Sequence, residues 1–213
     1  MSITDSALAA RRKNVPFVRD AAPADYPAIR DVVIAAYGQY EDVIPPDIFP
    51  RYLADVLDLE KHASQGRLLV VEADERVCAF AAFQPDASVQ GVGFPPGWAS
   101  GRALAVHPAV RGHGVARALA AAVEHLAQDG GSSVFAFHTY SFMTSAIALY
   151  EHLGYRRAPE FDFDMATRFG RPGAASITGM AYLRCLTPAD AHTHGMRARC
   201  PAKSVHPKQR SHQ

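Results

Sequence analysis

One stretch limits the folds open to this chain more than any other. Gly101 to Val106 (GRALAV) is a short apolar run, His107-Pro108 breaks it, Arg111-Gly112-His113-Gly114 follows, and Val115 to Asp129 carries the period of a long helix. A strand that turns through glycines into a helix aims the helix's first free N–H groups at one spot, where an anion such as a pyrophosphate fits. Gly112 and Gly114 lack Cβ atoms, so the backbone bends tightly and approaches phosphate oxygens closely, and Ala116 keeps the next position small. Arg111, His113 and Arg117 add positive charge. The segment has neither the Gly-Lys-Ser/Thr of a P-loop nor the Gly-x-Gly-x-x-Gly of a dinucleotide fingerprint. Two glycines alone also suit a plain tight connection, so the flanking residues decide between the readings.

Around this segment the chain reads as one mixed α/β domain over residues 16–187. Ile29, Val32, Val33 and Ala36 repeat at helical spacing, with Asp25 as a candidate cap and Pro27 in the first turn. After Pro45-Pro46, Phe49, Leu53, Val56 and Leu57 predict a second helix, with Asp47 as its candidate cap. Arg67 to Ala73 (RLLVVEA) and Val77 to Phe83 (VCAFAAF) read as a hairpin turning at Asp74-Glu75-Arg76. Ser132 to His138 predicts a strand, Ser145 to Leu153 a helix ending at Gly154, and Ile177 to Leu186 a last strand. Residues 1–15 read as a flexible N-terminus without the pattern of a secretory signal, and residues 188–213 as a disordered basic tail.

Apolar residues make up 48% and charged residues 20%, so the chain is of globular composition. A net charge of +1, with no basic cluster in the core, argues against a nucleic-acid partner, and no run is long and apolar enough to predict a membrane span. Cys78, Cys185 and Cys200 are an odd number without Cys-x-x-Cys spacing, which suits a reducing, cytoplasmic compartment. His192, His194, His206 and His212 lack carboxylate and thiol partners nearby, so no metal is expected.

LAVHPAVRGHGVARAL, from Leu104 to Leu119, resembles the GNAT superfamily of N-acetyltransferases, whose pyrophosphate loop reads Arg or Gln, two residues, Gly, one residue, Gly or Ala. Arg111, Gly114 and Ala116 match that pattern. ALYEHLGYRR, from Ala148 to Arg157, is similar to the family's next signature, and the likeness extends over roughly Phe17 to Leu186. The resemblance implies a central, mostly antiparallel sheet flanked by helices, with a splay between the strands ending near Val106 and His138. It implies acetyl-CoA as co-substrate, lying along Leu104, Ala105 and Val106. Main-chain groups of Leu104 and Val106 would pair with the pantetheine arm, and the loop Arg111, Gly112, His113, Gly114, Val115, Ala116 and Arg117 would hold the pyrophosphate.

For the chemistry, the resemblance puts Tyr150 at the family's tyrosine near the coenzyme sulfur, where a phenol can protonate the departing thiolate; packing on an amphipathic helix is the alternative. Ser100 stands where many relatives carry a glutamate base, and Met143 where many have asparagine. His138, at a strand end, is a candidate base or a structural histidine. Tyr37, Tyr40 and Glu41 fall where relatives place acceptor-pocket residues. Nine acids from Asp20 to Glu60, against Arg30 and Arg51, favour a small cationic amine, with a peptide amine as a further option. Direct attack of a primary amine on the thioester is the expected reaction. The missing glutamate leaves a second reading, a catalytically silent acyl-CoA sensor, and a homodimer stays possible.

Overall fold

A computed structural model describes residues 16–172 and 177–186. The expected N-terminal segment and the basic tail, with its histidines, lie outside the described residues.

The strands are β1 (Phe17–Asp20), β2 (Arg67–Ala73), β3 (Arg76–Gln84), β4 (Ala99–Val106), β5 (Val134–Tyr140), β6 (Arg156–Arg157), β7 (Phe163–Asp164) and β8 (Thr178–Cys185). They form one eight-stranded sheet in the order β1-β2-β3-β4-β5-β8-β6, with β7 also on β8. Every pairing is antiparallel except β4 with β5. The helices are α1 (Tyr26–Tyr37), α2 (Phe49–Leu57), α3 (Leu59–Gln65), α4 (Val115–Asp129), α5 (Thr144–His152) and α6 (Met165–Arg168).

The near-continuous apolar run of β2 follows from cover on both faces. Leu68 and Val70 join the core under α1, α2 and α3, whereas Leu69 and Val71 join the core under α4. α4 turns Val115, Leu119, Ala120, Val123 and Ala127 to the sheet, the stripe its spacing predicts. Burying a Leu119-sized side chain is worth about 1.5–3 kcal/mol, so this face anchors the helix whose N-terminus matters below. A third, smaller core joins Phe94 and Trp98, from the Gly/Pro-rich loop, to Ala136 and Ala158.

Two expected caps are used otherwise. Asp25 makes no side-chain cap on α1; its carboxylate accepts from both Arg19 guanidinium nitrogens at 2.7 and 2.9 Å and from the Ala22 N–H. Asp47 pairs with Arg171 at 2.6 Å, and α2 has no side-chain cap. Cys78 is free, but Cys185 is disulfide-bonded, so cysteine usage carries no weight for a reducing compartment.

Candidate active site

The site begins where the sheet opens. β4 and β5 pair only at Ala99–Phe135 and Ser100–Ala136; beyond these they part, giving the expected splay. On its other side β4 keeps pairing with β3, but Ala82 faces Arg102 and Phe80 faces Ala105, so β4 holds one extra residue between these pairs. Ala103 takes φ +54° there, a left-handed conformation that costs a non-glycine residue about 1–2 kcal/mol. This bulge redirects the strand as it leaves β5.

Which β4 groups face the gap follows from alternation. The His107 N–H bonds to Cys78 O on β3, so Ala105 also turns its peptide groups to β3, and those of Leu104 and Val106 point into the splay. Two of these carbonyls already accept a bond, Leu104 O from the Tyr37 hydroxyl and Val106 O from Arg111 Nε, both at 3.3 Å. Ala105 itself is 1% exposed; it belongs to the core rather than to the opening.

At the end of β4 the chain reaches the glycine loop. Gly112 and Gly114 have φ +82° and +79°, and a Cβ at either would meet open space, so left-handed conformation rather than crowding calls for glycine. Gly114 is the N-cap of α4, without a capping side chain and without an acid in the first turn. The first helical bond runs from the Ala118 N–H to Gly114 O, which leaves the Val115, Ala116 and Arg117 amides without intrahelical partners. Uncapped amides at the positive end of a fifteen-residue helix fit a pyrophosphate. Arg111 serves the loop differently from the expectation: its guanidinium reaches back to Val106 O, to Gln39 Oε1 at 3.2 Å and to Ala36 O of α1 at 3.5 Å, bracing the loop on the end of α1. His113 is exposed, with Nδ1 on Arg111 O at 2.9 Å, and does not line the cavity.

From this loop a cavity of about 510 Å³ runs along the splay. Leu104, Gly114, Ala116 and Arg117 line one end, Tyr37, Tyr40, Met143 and Tyr150 the middle, and Arg102, His138, Tyr140, Phe163 and Arg168 the other end. The Tyr150 ring packs on Phe137 at 4.2 Å. Burial raises its phenol, and Tyr40 opposes its ionisation further; burial and then Tyr150 do the same to Tyr37. Both phenols line the cavity as protonated donors, and that of Tyr37 is spent on Leu104 O. Glu41 is exposed and outside the cavity.

His138 is held for structure. Its Nε2 lies 2.8 Å from Phe161 O; a carbonyl only accepts, so Nε2 carries the hydrogen. The ring stacks on Phe94 at 4.5 Å and meets Phe163 edge-on. Burial pushes its pKa down from 6.5 to about 4, which makes it a weak base near neutrality. Because the folded value is depressed, the stability it contributes is full above pH 6.5 and is lost as pH falls toward 4. The full window is worth on the order of 3 kcal/mol. The expected result is that His138→Phe flattens the fall in unfolding free energy between pH 7 and 4; an unchanged slope in urea titrations would rule the histidine out as its source.

Ser100 is fully buried and its hydroxyl accepts from Gln90 Nε2. No aspartate or glutamate lines the cavity among the described residues, and no group there gathers three potential metal ligands. Of the acids counted from Asp20 to Glu60, Asp20 pairs with Arg67, Asp25 with Arg19, Glu60 with Arg30, and Asp55 with Lys61 and with Arg102 of the cavity wall. The expected acidic acceptor pocket is therefore absent from this cavity.

Residues 29–155 match the family model described as the acetyltransferase (GNAT) family. The chain belongs to the GNAT family. Enzymes of this family use acetyl-CoA, and the match spans the splay, the glycine loop and Tyr150. The fold is also that of solved GNAT structures. The ribosomal-protein-S18-alanine N-acetyltransferase of Escherichia coli is 16% identical, covering 80% of this chain and 94% of that one, with a TM-score of 0.56. The PaiA N-acetyltransferase of Thermoplasma acidophilum, in complex with coenzyme A, is 9% identical over 81% and 99%, with a TM-score of 0.61. An N-acetyltransferase of Staphylococcus aureus Mu50 is 18% identical over 81% and 99%, at 0.55. A comparison with curated proteins finds no match. No helix among the described residues is long and apolar enough to cross a membrane.

Proposed function

We propose that this chain transfers the acetyl group of acetyl-CoA to a primary amine of a small molecule or a peptide by direct attack. The observation that carries this reading is the single cavity that joins the open amides of α4 to the Arg102–Arg168 end, with the Tyr150 phenol between them. The pyrophosphate rests on the amides of Gly112 to Arg117, and the pantetheine pairs with Leu104 and Val106 along the splay. The amine nitrogen attacks the thioester carbonyl, whose oxygen is stabilised by a β4 N–H; the carbon–sulfur bond then breaks, and Tyr150 donates to the thiolate as the amine gives up its proton. With no carboxylate on the cavity wall, the nucleophile enters as the free amine or loses its proton through solvent.

The test is a screen of amines with acetyl-CoA, reading free thiol. At least one amine class is expected to raise thiol release about tenfold or more over buffer hydrolysis, since positioning alone gives more than that. Tight acetyl-CoA binding without thiol release by any amine would replace this reading with that of an acyl-CoA sensor.

A further inference from the structure

The acceptor end of the cavity carries a charge that the acetyl donor does not need. The charged side chains lining the cavity are Arg102, Arg111, Arg117 and Arg168. Arg111 and Arg117 belong to the glycine loop and the first turn of α4, which leaves Arg102 and Arg168 at the far end. Arg102 is paired with Asp55. Burial acts to raise the Asp55 carboxyl, but Arg102 and Lys61, with a smaller contribution from Arg168, outweigh it and hold it below its ordinary value, so this carboxylate bonds two cations and only faces the third.

Arg168 makes no ion pair among the described residues. One of its guanidinium nitrogens, Nη1, donates to Gln90 O at 3.3 Å, and its carbon sits 5.4 Å from the centre of the Phe163 ring. The neighbouring Asp164 spends one carboxylate oxygen on the Thr167 N–H at the start of α6. Burial and then Arg102 depress the Arg168 guanidinium, and the field of the Asp55 carboxylate offsets them only in part. It also lines an adjoining depression with Val92, Phe163 and Asp164, so it stands at the junction of two openings.

We infer that the acceptor is an amine that also bears an anionic oxygen group, a carboxylate or a phosphonate, and that Arg168 is the residue that binds this group. The inference rests on the acetyltransferase reading and deepens it. A partly desolvated guanidinium with donors to spare is complementary to a planar anion, which it holds through two parallel bonds. An anion also relieves the repulsion between Arg168 and Arg102.

The experiment compares matched amines with acetyl-CoA: an α- or β-amino acid, its carboxamide, the decarboxylated amine, and the corresponding aminophosphonate. The anionic members are expected to exceed the carboxamide by about tenfold or more in kcat/KM, because a site built for a charged hydrogen-bonding group rejects the analogue lacking it. The amino acid and aminophosphonate arms distinguish the two kinds of anion. Arg168→Gln is expected to erase the preference, and Arg168→Lys to restore part of it, while the thermal shift given by acetyl-CoA reports an intact donor site. Equal rates for acid and amide in the wild type, or an equal loss for both in Arg168→Gln, would overturn the inference, and the wild-type comparison stands even if that variant does not fold. If no amine is acetylated, the transferase reading fails, and calorimetric binding of the same pairs to the coenzyme A-loaded protein decides the anion site separately: equal affinities for acid and amide overturn it.

Discussion

Gly114→Glu is expected to yield a folded protein that has lost acetyl-CoA. Nothing lies within 4 Å of a Cβ built at Gly114, so the new side chain meets no wall. The φ of +79° costs a non-glycine residue about 1–2 kcal/mol, and a carboxylate at a helix N-terminus returns about 0.3–1 kcal/mol of that. The apo melting temperature should therefore move only slightly. Donor binding loses far more, because the new carboxylate covers the uncapped amides of Val115 to Arg117 and repels the pyrophosphate. Two charge-assisted bonds at about 1.5–3 kcal/mol each correspond to a fall in affinity of at least about 100-fold. Gly114→Ala separates the causes: it carries the same strain without the charge and should keep most of the affinity. Calorimetry with coenzyme A and with acetyl-CoA is the measurement, and wild-type affinity in a folded Gly114→Glu variant would mean that the phosphates bind elsewhere.

The parts of the site legible in the sequence are those in which neighbouring residues determine one another's geometry. The turn from β4 into α4 is such a case, since strand period, helix period and two left-handed glycines occupy one continuous stretch. The hairpin of β2 and β3 is another, and its two-residue turn at Asp74 and Glu75 is left-handed at both positions, the conformation that matches the twist of the flanking strands. By contrast α3, only seven residues long, offers too few turns for a period to stand out.

Residues 156–172 escaped because their order comes from distant partners. Arg157 binds the Asp162 carboxylate, which in turn accepts the Ala181 N–H from β8. This segment places Phe163 and Arg168 at the acceptor end, beyond the residues matched by the family model. The count of charges along the chain differs from the cavity lining for a related reason. A count along the chain places nine acids near the acceptor side, but among the described residues none lines the cavity, and ion pairs with Arg19, Arg30, Lys61 and Arg67 engage several of them. The two arginines at the acceptor end of the cavity lie 66 positions apart, at 102 and 168.

Tyr150→Phe is expected to lower kcat by roughly 100-fold while acetyl-CoA affinity and stability stay near wild type. The phenylalanine ring keeps the contact with Phe137 at 4.2 Å and the edge-on contact with Tyr155 at 5.9 Å, so packing is preserved. Only the hydroxyl disappears. Positioned acid catalysis is worth roughly 10²- to 10⁴-fold, and two features of this site set the effect at the lower end. Burial raises the Tyr150 phenol well above its ordinary value, which makes complete transfer of its proton to a thiolate unfavourable; a hydrogen bond to the developing charge is what remains. A thiolate is also a better leaving group than an alkoxide and gains less from protonation. The raised phenol has a second consequence, because a donor that does not ionise below about pH 10 leaves kcat without an alkaline fall of its own. The wild-type pH profile should therefore stay level on that side through pH 9, and Tyr150→Phe should lower the whole profile without moving its limbs. Tyr37→Phe is the comparison that isolates the role: its hydroxyl is bonded to Leu104 O, so its loss should act mainly on KM for acetyl-CoA. Wild-type kcat in a folded Tyr150→Phe protein would exclude the phenol as the thiolate's partner.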